Sequence, residues 1–401
     1  MPIFSRRSGL FAIAALMLAS PAMASPMQAP APAPAKPRPL EVVEKVWPGH
    51  PEWFAMFVDI LQGSQLGPTD GWFRKAKTQS RLDWKHASER FDKDDDGRIA
   101  RGEFPGDDND FARLDRDRDK AITATDFDFS PSALSSSPGA SLFYRADADG
   151  DGRLTKSEMD AFFAKADSGH SGFLSLDDAK GALNPPLAAP SSAPPVRRGP
   201  SRTTLLKGLY RQEVGSLQAG PRVGETAPDF TLKTVDGKDE LTLSKLVGPK
   251  PVVLIFGNFT CGPFCSQSGN VEKLYQKYQD RATFVMVYVR EAHPTDGWAL
   301  DGNERVGVSL RQPQSYDERV GVAQKCSRKL KFGMPMLVDT IDDTVGARYS
   351  GMPSRLYLID GEGKVAFQNG RGPFGFKPAE LEHALVLLLN EKTPSKIAEV
   401  K

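Results

Sequence analysis

Cys261 and Cys265 stand four residues apart, directly after a short apolar run at 252–256 and before Val271, Leu274, Tyr275 and Tyr278 at helical spacing. The unbroken run, rich in β-branched residues and stopped by Gly257, reads as a strand buried on both faces. The spacing after it reads as an amphipathic helix. A cysteine at a helix N-terminus meets partial positive charge and free N–H groups, which favour the nucleophilic thiolate. Two thiols at such a helix start can also face each other and close a disulfide. Cys326, the last of three cysteines, reads as a buried, inert thiol.

A second chemistry lies in the acidic segments. Asp92, Asp94, Asp96, Gly97, Ile99 and Glu103 occupy positions 1, 3, 5, 6, 8 and 12 of a calcium loop, and so do Asp147, Asp149, Asp151, Gly152, Leu154 and Glu158. Alternate carboxylates converge on one hard cation, the glycine allows the sharp bend, and the closing Glu supplies two oxygens. Arg98 and Arg153 hold the position that contributes a backbone carbonyl. Two further loops match less well. Asp115, Asp117, Asp119 and Asp126 keep ligand positions, but Lys120 replaces the glycine, and left-handed backbone costs a non-Gly residue about 1–2 kcal/mol. Asp126 is also one methylene shorter than Glu. The loop at 167–178 keeps Asp167 and Gly172, with Ser171 and Asp178 as weak ligands and Gly169 where a carboxylate belongs. Ca2+ is therefore the expected cofactor of EF-hand loops. The starts lie 23 and 20 residues apart within the two pairs, which favours stabilisation by constant calcium over a groove-opening switch.

Residues 1–24 read as a secretory signal: Arg6 and Arg7, an apolar stretch at 9–19, then Ala22, Met23 and Ala24 before Ser25. The apolar stretch is shorter than the roughly 17–25 residues a membrane helix needs. The expectation is export to the periplasm or the extracellular space, where disulfides persist, with no membrane span after signal removal. Those residues carry only two charges, so their loss turns a formal +1 into −1, and nothing points to nucleic acid. Residues 25–39 form an Ala/Pro tether. Residues 40–182 are expected to be an all-α EF-hand domain, with Trp53, Phe54, Phe57, Ile60, Leu61, Trp72, Phe73, Trp84 and Phe91 packing beneath the acidic loops. A Pro/Ser linker at 183–203 precedes an α/β domain at 204–401.

Within that second domain the apolar runs at 252–256 and 283–289 flank the cysteine-bearing helix, making a β-α-β unit with a parallel pair. The runs at 355–359 and 365–368 read as a hairpin turned by Asp360 and Gly361, and 379–390 as a closing helix. This order is that of the thioredoxin fold, and Pro353 falls where that fold places a cis-proline beside its active cysteine.

The segment Glu291-Ala292-His293-Pro294-Thr295-Asp296-Gly297-Trp298 resembles the hallmark that follows the second strand in iodothyronine deiodinases. Residues 256–264 are similar to that family's selenocysteine segment, with Cys261 in the selenocysteine position, and the likeness continues through Asp317-Glu318-Arg319-Val320, Arg355-Leu356-Tyr357 and Gly370-Arg371-Gly372-Pro373. The resemblance covers roughly 251–388 and implies reductive dehalogenation, with Cys261 as nucleophile, His293 as proton donor or orienter, and a thiol that regenerates the enzyme. Histidine suits proton transfer because its ordinary pKa lies near working pH. Three departures stand out: sulfur replaces selenium, Pro313 falls where the family has a second histidine, and Cys265 adds a second thiol. The last favours thiol–disulfide exchange, with an unidentified thiol, disulfide or halogenated substrate and a reducing partner.

Other readings stay open. A Cys-x-x-x-Cys pair also resembles that of copper-delivering thioredoxin-fold proteins, although residues 350–352 carry no histidine. A peroxiredoxin would have Thr or Ser where Asn258 stands. A structural disulfide and a calcium-dependent, non-enzymatic adaptor complete the set.

Overall fold

A computed structural model describes residues 45–129, 138–149, 151–167, 169–183 and 200–391. The signal, the Ala/Pro tether and most of the second linker lie outside the described residues. In chain order the elements are α1 (Glu52–Leu61), α2 (Gly71–Lys75), β1 (Gln79–Ser80), α3 (Trp84–Phe91), β2 (Ile99–Ala100), α4 (Asp108–Leu114) and β3 (Ala121–Ile122). Then come α5 (Pro138–Ala146), α6 (Lys156–Ala166), α7 (Leu176–Leu183), α8 (Arg202–Tyr210), β4 (Thr231–Lys233), β5 (Glu240–Thr242) and α9 (Leu243–Leu246). The remainder is β6 (Val252–Gly257), α10 (Gly262–Tyr278), β7 (Thr283–Tyr288), α11 (Asp301–Arg305), α12 (Tyr316–Leu330), β8 (Met336–Val338), α13 (Thr344–Arg348), β9 (Arg355–Ile359), β10 (Val365–Gln368) and α14 (Pro378–Asn390). No described helix is long and apolar enough to cross a membrane.

The C-terminal part is a thioredoxin-like α/β fold. Its sheet runs β1-β10-β9-β6-β7-β8, with β6 parallel to β7 and antiparallel to β9. Every residue of β6 is buried, as a central strand covered on both faces requires. Leu381, Leu385 and Val386 of α14 close one face. Beyond the expected β-α-β and β-β-α units, β8 adds a parallel partner to β7 through α12. Its three residues carry too little periodicity to be seen in sequence.

The first half departs from expectation in two ways. It is not all helix: β2 and β3 pair antiparallel with Ile99 opposite Ile122, and β1 pairs with β10, Gln79 opposite Gln368. Nor does it keep a core to itself. Phe91, Phe104, Phe111, Leu114 and Ile122 belong to the same apolar cluster as Val253 and Leu385. The expected aromatic packing beneath the acidic loops also divides. Met56, Ile60 and Trp72 bury instead against Leu205 and Leu209 of α8, from beyond the linker, while Leu61 is exposed. Small helix–loop units bury too little apolar surface alone, and β10 would otherwise be an open sheet edge. Arg281 forks onto Asp110 at 2.8 and 3.1 Å, and Asn390 donates to the same carboxylate at 2.9 Å, tying α4 to the thioredoxin-like half.

Candidate thiol site and acidic loops

β6 ends at Gly257, where a Cβ would fall 2.3 Å from the Phe264 ring, so glycine lets that ring reach the core. Phe264 anchors the first turn of α10, and Cys261, at the N-cap, is drawn under the surface to 1% exposure. Cys265 follows one turn later, half-buried, its amide donating to the Cys261 carbonyl at 3.0 Å. Both thiols are free. The Cys261 Sγ lies 4.0 Å from Ser354 Oγ, and the Cys265 thiol donates to the Phe259 carbonyl at 3.3 Å. Burial pushes the Cys261 thiol up to about 11, against the pull of the Phe264 amide and Ser354. Cys265 is pushed well above the ordinary thiol range by burial, then by Cys261, Glu291 and Asp147. The expected low-pKa thiolate is thereby reversed, because loss of hydration outweighs the helix N-terminus. Cys326 is fully buried in α12, as expected for an inert thiol.

A buried polar network holds the cysteine loop in place. The Glu291 carboxylate, fully buried, accepts from the Thr260 amide at 2.9 Å, the Thr260 hydroxyl at 2.7 Å and the Tyr288 hydroxyl. Tyr288 also accepts from the Phe259 amide at 3.1 Å. Burial lifts Glu291 above the usual carboxylate range despite its hydrogen bonds and the charge of Arg319. Asn258 accepts from the Ala292 amide at 3.3 Å and donates to the Pro353 carbonyl at 2.9 Å, so one side chain joins the cysteine loop, the segment after β7 and the loop before β9. The Met352–Pro353 bond is cis. Thr260, Tyr288, Ser354 and the structural use of Asn258 and Glu291 escaped sequence reasoning. A buried polar residue in a loop carries no periodic signal, and their place in the family-like segments was the available clue.

His293 is brought to the site, its amide donating to Thr260 Oγ1 at 3.0 Å. Its Nδ1 lies 3.0 Å from the Trp298 carbonyl, which can only accept, so Nδ1 carries the proton and Nε2 keeps a lone pair. Burial lowers the imidazole to about 4. The expected proton donor near neutral pH is therefore a neutral ring whose proton is already engaged. Pro313 follows Gln312, whose side chain bonds both the amide and carbonyl of Glu291 at 3.0 Å. His383 sits away from the cysteines, against Phe127 at 4.5 Å between ring centroids.

The four acidic loops share one turn. The amides of Gly97, Lys120, Gly152 and Gly172 donate to the second oxygens of Asp92, Asp115, Asp147 and Asp167 at 3.1, 3.0, 3.1 and 2.8 Å. Lys120 takes the left-handed conformation at φ 73°, so the loop bends there without glycine. Carboxylate oxygens of Asp92, Asp94 and Asp96 come within 4.8 Å of one another, as do those of Asp115, Asp117 and Asp126, and of Asp147, Asp149 and Glu158. Asp92 Oδ1 is a buried oxygen with no hydrogen-bond partner among the described residues. Glu103, Asp119 and Asp151 lie outside those groups: Glu103 accepts from the Lys93 and Ala100 amides, Asp119 meets Arg98 at 3.5 Å, and Asp151 is held by Lys331 at 2.8 Å. The Arg153 guanidinium donates to the Leu330 and Lys331 carbonyls at 3.1 and 2.8 Å. In the loop at 167–178, Ser171 donates back to Asp167, and Asp178 accepts from the Ser175 amide at 3.0 Å. Burial raises Asp147 to about 6, aided by Asp151, Glu158 and Asp149 and opposed by the Gly152 amide.

The family profile described as "Iodothyronine deiodinase" matches residues 201–388, which span the thiol site and leave out the acidic loops. The thyroxine 5-deiodinase of Gallus gallus is 32% identical over 213 residues, covering 52% of this chain and 81% of that protein. The type I iodothyronine deiodinase of Xenopus laevis is 31% identical, with 40% of this chain and 61% of that protein covered; for the thyroxine 5-deiodinase of Ovis aries the figures are 33%, 39% and 53%. The chain thus spans between about half and four fifths of these relatives. Among solved structures, a secreted disulfide oxidoreductase of Mycobacterium tuberculosis aligns at 20% identity and a TM-score of 0.29, over 40% of this chain and 96% of that one. With one relative matched over most of its length, the segments around Cys261 and His293 are those of a known group, and the chain belongs to the iodothyronine deiodinase family.

Proposed function

We propose that the protein is an exported thiol oxidoreductase in which Cys261 is the nucleophile and Cys265 the resolving thiol, joined to an EF-hand domain that binds calcium. The observation that carries the redox reading is the position of the two cysteines one turn apart at one helix end, with the Cys261 thiol beside Ser354. The Cys261 thiolate attacks a substrate disulfide, forms a mixed disulfide and expels one substrate thiol. Cys265 then attacks the Cys261 sulfur, releasing the second substrate thiol and leaving a Cys261–Cys265 disulfide. An external dithiol returns the two electrons. Since Cys261 is protonated at neutral pH, its proton must be lost before attack and ends on the departing substrate thiol.

Family membership favours a second reading, reductive deiodination. Sulfur of Cys261 takes iodine from an aryl carbon while a proton reaches the ring, then one external thiol displaces iodide to form a mixed disulfide and a second releases Cys261 as a thiol. The neutral His293, with its proton held by Trp298, weighs against it as proton donor. The acidic loops fit calcium, being built of oxygen donors and offering the unpartnered Asp92 Oδ1. Asp92, Asp94, Asp96 and Glu103 would hold one ion, and Asp147, Asp149, Asp151 and Glu158 another, where calcium would supply positive charge among repelling carboxylates.

The test is to equilibrate the protein in redox buffers, alkylate the free thiols and map the cysteines by mass. The exchange reading expects a reversible Cys261–Cys265 disulfide between about −120 and −270 mV. A pair still oxidised below about −300 mV is a structural staple. Reactivity of Cys261 alone moves the deiodinase reading to the front.

A further inference from the structure

The acidic loop at 147–158 docks directly on the helix that carries the cysteines. A Cβ on Gly152 would fall 2.0 Å from the Cys265 carbonyl oxygen and 2.4 Å from Ser268 Oγ, and a Cβ on Gly269 would fall 2.3 Å from the Gly152 carbonyl. Two glycines therefore let two backbones touch. The fully buried Ser268 hydroxyl lies 2.8 Å from the Asp151 carbonyl and 2.7 Å from the Cys265 carbonyl, within reach of both. On its other side Asp151 is gripped by Lys331, which follows α12 with φ 55°. Arg153 holds the carbonyls of Leu330 and Lys331. Asp151 thus has two claimants: Lys331 from the thioredoxin-like half, and a cation in its own loop.

We propose that this loop is a positioning element for Cys265, so that a divalent cation drawing Asp151 away from Lys331 is felt at the first turn of α10. The effector rests on the calcium reading above; the path rests on the packing. Asp151 contributes its carboxylate to the loop and its carbonyl to the Ser268 contact, so reorienting the residue moves both. A bound cation orders the loop, and Ser268 passes that order to the Cys265 carbonyl. The Cys265 thiol becomes slower to expose.

The experiment uses the full chain with Asp92→Asn and Glu103→Gln, leaving 147–158 as the remaining loop that matches at all six positions. Calcium binding is followed by calorimetry. Hydrogen exchange of the first-turn amides of α10, alkylation of Cys265 and the potential of the Cys261–Cys265 couple are read at each calcium level. Calcium should slow exchange and alkylation at least about threefold and shift the potential. Lys331→Met, which removes the competitor, should tighten calcium binding roughly three- to tenfold. Ser268→Ala should keep the binding and lose the response at the thiols. Calcium that binds this loop without moving exchange, alkylation or potential overturns the inference and leaves the calcium reading standing. Absence of calcium binding overturns both, and an unchanged affinity in Lys331→Met overturns the exchange at Asp151.

Discussion

The thiol site and the acidic loops are both short motifs, yet local sequence fixes the character of one far more than of the other. In the acidic loops the chemistry is a matter of spacing. Fixed offsets place Asp147, Asp149 and Glu158 within one small volume, and the loop at 115–126 takes the same turn even with Lys120 where glycine belongs. In the thiol site the residue types are right, but their behaviour is set by burial. Cys261 has the helix N-terminus that should make it acidic and is instead pushed up to about 11. Spacing survives folding unchanged, whereas a pKa depends on the water that folding removes.

The comparison breaks most visibly at Cys261. With the thiol near 11, its alkylation rate in the reduced protein should climb about tenfold per pH unit from pH 7 to 10. A plateau below pH 8, read with iodoacetamide and mass spectrometry, would restore the low-pKa thiolate.

Next in size is a test of whether matching loops are equivalent. Gly97 and Gly152 hold the same motif position with φ of 82° and 74°, but a Cβ on Gly97 meets nothing within 4 Å. Gly97→Ala should cost about 1–2 kcal/mol from backbone strain. Gly152→Ala adds collision with the Cys265 carbonyl and should cost about 3 kcal/mol or more. Equal costs in urea unfolding would mean that docking on α10 contributes nothing.

Phe111→Ala tests the shared core. Losing this buried ring should cost about 3 kcal/mol and lower the unfolding midpoint of both halves together. Two separate transitions, with the thioredoxin-like half unmoved, would restore independent domains.

The smallest effect concerns Asp147. Its pKa in the folded protein is raised to about 6, so ionisation above that pH opposes folding, and protonation as pH falls through 6 relieves the penalty. Without calcium, Asp147→Asn should therefore be more stable than the wild type at pH 7.5, with the difference shrinking by pH 5. Under the calcium proposal, added calcium should reverse the order at pH 7.5, because Asp147 would be one of the ion's ligands. The variant isolates Asp147 from Asp339, also raised to about 6, and from His293 and His383, whose lowered values act in the opposite direction.

The central strand, the cysteine helix, the hairpin and the closing helix were legible because apolar periodicity and turn residues are local signals. The site was legible only where a motif carried it. Cys261, Cys265, His293 and Pro353 could be named from sequence, while the Thr260–Glu291–Tyr288 network could not, since its members become partners across the sheet's end. β1 was invisible because two residues have no pattern until β10 offers its edge.

By itself, then, the sequence determined the carboxylate spacing of the acidic loops, the order of the thioredoxin-like elements and the position of the two thiols. These depend on chain geometry within a few turns. Tertiary structure alone decided that the two halves share a core, that Cys261 is protonated and His293 neutral at pH 7, and that Gly152 rests on Cys265. Each of these follows from which surfaces lose water to one another, and residues far apart in the chain settle that only by meeting.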